Sequence, residues 1–165
     1  MSVNTNKITF QPIGIIRTPF TSQQGTPCQP AFSGGAEGTI HIYPEFREGL
    51  VDLDGFDRIW ILFLLDRSKD YKMKVIPYLD TVERGVFATR APSRPNFIGL
   101  SAVRIVGVDE SSGTVRVKDV DILDETQIID IKPYIPENDS YRDSRTGWFE
   151  QVRDKGKPAD DRFSI

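Results

Sequence analysis

Cysteine and histidine each occur once in the 165 residues, as Cys28 and His41. One cysteine excludes an internal disulfide and a zinc site built on cysteine pairs, and one histidine argues against a histidine-cluster metal site. Long hydrophobic runs are also missing, since no apolar stretch approaches the roughly 20 residues that cross a bilayer. The polar first residues have no apolar core of the kind that a signal peptide needs. We therefore expect a cytoplasmic protein without a metal site or a membrane span.

An excess of positive charge, which is usual in proteins that bind polyanions, is absent as well. The chain has 21 lysines and arginines against 24 aspartates and glutamates, a net charge of −3. The charge is unevenly distributed, because residues 84–104 contain four arginines and no acid. A local basic patch there, with Arg94 at its tip, is the predicted nucleic-acid contact. The alternative is the mixed-charge tail, with Arg142, Arg145 and Arg153.

Short strands separated by turn residues dominate the sequence pattern. Pro44 predicts helical turns within 44–55, and the apolar run 58–65 predicts a central strand covered on both faces. The length and composition fit one domain, so we predict a mainly all-β fold, either a barrel or a sandwich. The predicted strands are residues 8–17, 39–43, 58–65, 84–90, 98–108, 114–120 and 128–131.

Two features of the sequence suggest other chemistry, but neither has the sequence context that this chemistry requires. The glycine-rich residues 33–38 precede a predicted strand and not a helix, so they do not form the nucleotide-binding turn of an α/β domain. Cys28 and His41 suggest a nucleophile and a base, yet nothing else in the sequence indicates covalent catalysis. We interpret them as an ordinary loop thiol and a strand histidine.

Arginine and proline are concentrated in residues 85–101. Pro92 and Pro95 stiffen an extended turn that carries Arg90 and Arg94, so these side chains lose less entropy on binding a partner. Arginine binds carboxylates and phosphates through paired hydrogen bonds and stacks on bases. This arginine loop predicts a ligand site. The alternative is that one arginine pairs with a structural carboxylate and the other is solvated.

A second dense segment, residues 120–134, places four acids among apolar residues and ends with Lys132 and Tyr134. Half-buried carboxylates need partners such as amines, hydroxyls or arginines, which a ligand supplies. The alternative is solvation at the strand ends, with Lys132 extending to solvent and Tyr134 packing.

Together these segments resemble the TrmO family of transfer-RNA methyltransferases. The matching stretches are residues 13–20, 27–29, 53–60, 85–101 and 121–136. The resemblance implies a single-domain β-barrel over 8–140 that binds S-adenosylmethionine without a Rossmann fold. It also implies a homodimer with the cofactor near the interface, and methyl transfer to N6 of threonylcarbamoyladenosine beside the tRNA anticodon. Residues 141–165 are expected to form a tail that is partly docked and partly flexible.

The resemblance further implies which residues bind each ligand. The cofactor-binding residues are Pro27, Cys28, Gln29, Asp66, Arg67, Arg90, Leu100, Asp121, Asp124, Glu125, Thr126 and Gln127. The acceptor-binding residues are Arg94, Asn96, Lys132 and Tyr134. Because a carbamoylated exocyclic nitrogen is a poor nucleophile, a proton acceptor is expected. The candidates are Asp121, Asp124 and Asp130.

The sequence departs from the family pattern at Cys28, Ser93, Phe97, Glu125 and Gln127, among others. Cys28 stands where arginine is common, and Glu125 stands where glycine is usual. The neighbouring anchor residues remain, so we expect cofactor binding to be kept and substrate choice to be affected. Two alternatives stay open. One is a methyltransferase of a small molecule on the same scaffold, and the other is an S-adenosylmethionine-binding module without turnover.

Overall fold

The computed structural model describes residues 8–152 and 154–163. Its strands are β1 (Gly14–Arg17), β2 (Glu37–Ile42), β3 (Arg58–Leu64), β4 (Lys74–Val75), β5 (Arg84–Gly85), β6 (Ile98–Asp109), β7 (Thr114–Lys118) and β8 (Thr126–Pro133). One α-helix, α1, spans Pro136–Asp139. Short 3₁₀ helices span Pro30–Phe32, Pro44–Leu50, Leu53–Gly55, Val86–Ala88 and Gly147–Gln151.

Six strands close into an antiparallel barrel in the order β1–β2–β7–β6–β3–β8, and β8 pairs back with β1. β4 and β5 form a separate two-stranded sheet. The predicted mainly all-β fold with short helical turns is confirmed. Closure of the sheet decides for the barrel over the sandwich, because no barrel strand is left with an unpaired edge.

The barrel interior is filled by alternate residues of each strand, as the two-residue period of a strand requires. Ile59 and Ile61 on β3 are fully buried, whereas Trp60 and Leu62, which alternate with them along the strand, are half-buried on the outside. The expectation that both faces of β3 are covered is therefore wrong, since a barrel strand has one inward face. The fully buried β-branched residues on the strands are Ile16, Ile40, Ile59, Ile61, Val103, Val115, Val117 and Ile128.

Two predicted strands are much shorter than expected. The strand over 8–17 is reduced to Gly14–Arg17, and Pro12 lacks the N–H needed to extend the pairing. The strand over 84–90 is reduced to Arg84–Gly85, because the chain turns into a 3₁₀ helix at Val86–Ala88. This turn leads directly into the arginine loop, so it helps to set where Arg90 lies.

The C-terminal segment packs against loops of the barrel. The indole Nε1 of Trp148 donates to the carbonyl of Ala88 at 2.7 Å. The N–H of Ala159 donates to the carbonyl of Thr26 at 2.9 Å. Arg153, named above as an alternative nucleic-acid contact, lies outside the described residues. Within 8–152 and 154–163, no helix combines the length and apolarity that a membrane span requires.

Candidate active site

A cavity of about 620 Å³ opens at the end of the barrel where β3 ends and β6 begins. These strands are antiparallel neighbours, so the end of one meets the start of the other. Loop residues 21–23, 26–29, 65–69 and 121–123 and part of the arginine loop complete the wall. Small-molecule sites commonly have volumes of roughly 300–1,000 Å³. We call this space the barrel-end cavity.

The apolar wall of the barrel-end cavity depends on a close approach between β3 and β6. Gly99 lies opposite Phe63 in the register, and a Cβ atom at Gly99 would lie 2.3 Å from the Phe63 ring. A glycine at this point therefore leaves room for the phenyl ring. Both residues line the cavity, together with Ile98 and Leu100.

Asp121 supplies a carboxylate to the cavity wall. The hydroxyl of Ser101, a buried residue of β6, donates to Oδ1 of Asp121 at 2.6 Å. Burial raises the pKa of Asp121 to about 6, against the opposing effects of the Ser101 hydrogen bond and the Arg90 charge. A carboxylate with a pKa close to neutrality is suited to proton transfer.

Arg90 brings a positive charge to the same wall. Its Nη1 donates to Oε1 of Gln29, whose own Nε2 donates to the carbonyl of Cys28. Within the described residues Arg90 forms no salt bridge. A guanidinium has five N–H donors, so Arg90 retains donors for an anionic group of a ligand.

Arg94 stabilises the arginine loop from within. It is half-buried, and its Nη1 donates to the carbonyls of Thr89 at 3.2 Å and Ala91 at 3.1 Å. These partners are main-chain groups and not the structural carboxylate considered in the sequence analysis. Arg94 also lines the barrel-end cavity.

Arg67 ties together two of the loops that form the cavity. Its Nη1 donates to Oδ2 of Asp66 at 3.0 Å, and its Nη2 donates to the carbonyl of Asp124 at 2.9 Å. The Asp124 side chain points to another partner, because its Oδ1 accepts the N–H of Thr18 at 3.0 Å. The loop after β3 is thus held against the turn that carries Asp121.

The C-terminal segment completes the wall, which the sequence analysis missed. Ala159 and Phe163 line the cavity beside Tyr78, and the rings of Tyr78 and Phe163 meet edge to face at 5.0 Å. The tail has no periodic pattern from which this contact could be predicted. The Cys28 thiol donates to the carbonyl of Lys157 at 3.3 Å, and burial raises the pKa of this thiol to about 11. Cys28 is therefore protonated at neutral pH and is not an activated nucleophile.

Most of the predicted cofactor-binding residues meet at this cavity. Nine of the twelve line it: Pro27, Cys28, Gln29, Asp66, Arg67, Arg90, Leu100, Asp121 and Thr126. Asp124 and Gln127 lie just outside, and Glu125 pairs with Arg17. The roles of these residues remain predictions, but the structure brings them to one place from four separate parts of the chain.

The predicted acceptor-binding residues are mostly elsewhere. Arg94 lines the cavity, whereas Asn96 is exposed just before β6. Lys132 lies on β8, where its Nζ is 2.7 Å from Asp130 Oδ2. Tyr134 follows the end of β8, and its ring packs on Trp60 with the ring centroids 5.4 Å apart. Of the three candidate proton acceptors, Asp121 lines the cavity and Asp124 and Asp130 do not.

The family can now be assigned. The model of the tRNA-methyltransferase O N-terminal domain, TrmO, matches residues 15–140. The chain belongs to the TrmO family. The family membership predicted from the sequence is confirmed.

Relatives and solved structures agree with this assignment. A probable S-adenosyl-L-methionine-binding protein of Pyrococcus abyssi is 44% identical over 144 residues, which cover 87% of this chain and 77% of that protein. A mouse tRNA (adenine(37)-N6)-methyltransferase is 34% identical over 84% of this chain. The crystal structure of TrmO from Pseudomonas aeruginosa superposes with a TM-score of 0.72 and 36% identity over 86% of this chain.

The match covers different shares of these proteins' own lengths. The match spans 33% of the mouse enzyme and 62% of the Pseudomonas chain. This chain therefore matches only part of those longer proteins. Within the described residues, no group of three or more His, Cys, Asp or Glu side chains is arranged to hold a metal ion.

Proposed function

We propose that this chain is an S-adenosylmethionine-dependent methyltransferase that modifies N6 of threonylcarbamoyladenosine next to the anticodon of tRNA. The observation that carries the proposal is the barrel-end cavity, which gathers nine of the twelve residues that the TrmO pattern associates with the cofactor. Relatives named as S-adenosyl-L-methionine-binding proteins and as tRNA (adenine(37)-N6)-methyltransferases support it.

The residues of the cavity fit the cofactor's chemistry. Arg90 offers guanidinium donors for the methionine carboxylate, and Asp66 offers a carboxylate for ribose hydroxyls or the amino group. Phe63 and Leu100 provide an apolar surface for adenine. When bound, S-adenosylmethionine supplies a methyl group whose bond to sulfur breaks as the bond to nitrogen forms, with the electron pair staying on sulfur.

Asp121 is the proposed proton acceptor. Its carboxylate lines the cavity and takes the proton that N6 loses as the new carbon–nitrogen bond forms. The Ser101 hydroxyl donates to Oδ1 and holds the carboxylate in place. Oδ2 receives no hydrogen bond from this hydroxyl. Asp124 and Asp130 are less suited, since their carboxylates are engaged by Thr18 and Lys132. Most of the remaining rate acceleration comes from holding the methyl group in line with N6.

We also propose that the protein acts in the cytoplasm as a homodimer. Leu62 and Leu100 lie opposite each other on the outer face of β3 and β6, and Leu100 is 49% exposed beside the cavity. A second subunit covering this apolar face would also shield the cofactor from water. Light scattering at micromolar concentration tests the dimer, and a strict monomer with full methyl transfer would contradict a site at the interface.

Mass spectrometry of nucleosides tests the function. Transfer RNA carrying threonylcarbamoyladenosine is incubated with the protein and S-adenosylmethionine, and the expected product is that nucleoside with one added methyl group. The same tRNA without the threonylcarbamoyl group is the matched control. Cofactor binding by calorimetry without transfer to any tRNA would favour the two alternatives. Transfer from labelled cofactor to small molecules in an extract would then separate a small-molecule enzyme from a module without turnover.

A further inference from the structure

A second cavity, also of about 620 Å³, adjoins the barrel-end cavity. Its walls come from the 3₁₀ helix at Val86–Ala88, the Pro77–Leu79 segment and the 3₁₀ helix at Gly147–Gln151. Cys28, Gln29, Tyr78, Thr89 and Arg90 line both cavities. We call this second space the aromatic cavity.

The residues shared by the two cavities include a hydrogen-bonded pair. Arg90 donates to Gln29, and both side chains face both spaces. A group bound in the aromatic cavity therefore lies next to a cofactor bound in the barrel-end cavity. An acceptor of a methyl group must occupy such a place, because transfer requires the reacting atoms to be in contact.

The walls of the aromatic cavity are suited to a planar ring. Phe32, Phe87, Trp148 and Phe149 all line it. Phe87 is 74% exposed, whereas phenylalanine is more often buried. Aromatic side chains bind unpaired bases by stacking, and each stacked base contributes substantially to affinity.

Trp148 is held in a fixed position, which is what a side chain that stacks on a base requires. Its Nε1 donates to the Ala88 carbonyl at 2.7 Å, and the guanidinium carbon of Arg84 lies 5.8 Å from its ring centroid. The indole is thereby fixed between the 3₁₀ helix at Val86–Ala88 and a cation. Through these contacts the C-terminal segment supplies part of the cavity wall that the barrel strands do not supply.

We infer that the aromatic cavity is the binding site of the acceptor base, which leaves its stack in the RNA and packs against Phe87 and Trp148. Its exocyclic nitrogen then faces the shared residues Gln29 and Arg90. This inference rests on the proposed function, since it assumes an RNA nucleobase as acceptor. Enzymes that modify a base within RNA or DNA commonly extrude it into a pocket in this way.

Fluorescence of Trp148 tests the inference directly. The chain has two tryptophans, so Trp60→Phe leaves Trp148 as the single reporter. An anticodon stem-loop RNA carrying threonylcarbamoyladenosine should quench this fluorescence, and the same RNA with an abasic site at that nucleotide should not. In the same background Phe87→Ala should weaken RNA binding about tenfold or more, as expected for loss of a stacking partner. Phe56→Ala removes an exposed aromatic outside both cavities and is the matched control.

Two further measurements separate the inference from the function. Affinity for S-adenosylmethionine should be unchanged in Phe87→Ala, and a loss of that affinity would assign the aromatic cavity to the cofactor and overturn the inference. Methyl transfer that proceeds with unchanged KM for tRNA in Phe87→Ala would overturn it as well. Absence of transfer to any tRNA, with quenching by the stem-loop retained, would instead overturn the proposed function and support the base-binding site.

Discussion

Asp121 is a residue whose acidity is strongly altered by its surroundings. Burial raises the pKa of its carboxyl to about 6 in the folded protein, against about 3.9 in an unfolded chain. The folded state thus holds the proton more tightly, so the stability that this group contributes is fully present below about pH 4. It is lost as the pH rises through about 6. At neutral pH the ionised Asp121 therefore destabilises the fold.

Asp121→Asn should remove the destabilisation by the ionised carboxylate and abolish the proposed proton transfer. The amide keeps an oxygen for the Ser101 hydroxyl but carries no charge. We expect the free energy of unfolding to rise by about 3 kcal/mol at pH 7, with the gain vanishing below about pH 4. Methyl transfer should fall by a factor of about a hundred or more, since an amide cannot accept the proton. Urea unfolding at both pH values and single-turnover kinetics provide the two measurements.

The control for this variant is Asp54→Asn, which changes an exposed carboxylate outside both cavities. This variant should retain methyl transfer. In the wild type the rate should fall as the pH drops below about 6. Full transfer by Asp121→Asn would remove Asp121 from the mechanism.

Arg90→Ala should abolish binding of S-adenosylmethionine and leave the fold intact. The side chain is exposed, its described partner is the Gln29 amide, and no salt bridge within the described residues depends on it. Calorimetry measures the binding and thermal unfolding measures the fold. Arg104→Ala, an exposed arginine on β6 outside both cavities, is the matched control. Normal cofactor affinity in Arg90→Ala would show that the cofactor does not use the arginine loop.

At the scale of elements, the site depends on how β3 and β6 approach each other. Gly99→Ala should destabilise the protein by about 1–3 kcal/mol, because the new methyl group would collide with the Phe63 ring. Cofactor affinity should fall with it, since both residues form the cavity wall. Gly85→Ala is the control, as a Cβ there meets no atom within 4 Å. Equal unfolding midpoints for the two variants would mean that Phe63 adapts at no cost.

The turn between Asp121 and β8 contains Glu125, one of the departures from the family pattern. Glu125 stands where glycine is usual and adopts a left-handed backbone with φ of 63°. This conformation is unfavourable for a side chain other than glycine. The Glu125 carboxylate pairs with Arg17 on β1, and its N–H donates to the Ile16 carbonyl at 2.9 Å. These contacts offset the strain and keep the turn in place.

The strands and the arginine loop could be predicted because their patterns are local. Alternation located β2 and β7, the apolar run located β3, and proline spacing located the loop. The choice between Asp121 and Asp130 could not be made this way. It depends on the register of β8, which is shifted by an irregularity opposite Leu62 and Phe63. The closure of both cavities by the tail was also beyond prediction, since it depends on long-range contacts such as that between Trp148 and Ala88.

At the scale of the whole molecule, charge decides how RNA is attracted. With a net charge of −3, long-range attraction to tRNA is weak and binding depends on a local patch. Arg94, predicted to lie at the tip of this patch, holds the arginine loop together, so changing it would disturb the cofactor site as well. Arg104 is a better probe. It lies on β6 four residues beyond Leu100, and roughly 13 Å along the same face of the strand.

Arg104 is flanked in the barrel by Arg58 and Lys118 on the neighbouring strands. Arg58 pairs with Asp119 and Lys118 with Glu37, whereas Arg104 has no salt bridge within the described residues. It is thus the cation of this row that is available to a phosphate. Arg104→Ala should weaken tRNA binding and lower the slope of log affinity against log salt by about one. Cofactor affinity and the identity of the modified nucleotide should not change.

Filter binding of tRNA over a series of salt concentrations measures this slope. The matched control is the double variant Arg142→Ala and Arg145→Ala, two exposed arginines of the tail that line neither the barrel-end nor the aromatic cavity. If Arg104→Ala keeps the wild-type slope and the tail variant lowers it by about two, the phosphates follow the tail and not the barrel. A change only in Arg104→Ala would mean that the RNA phosphates contact the outer face of β6 at Arg104 and not the tail.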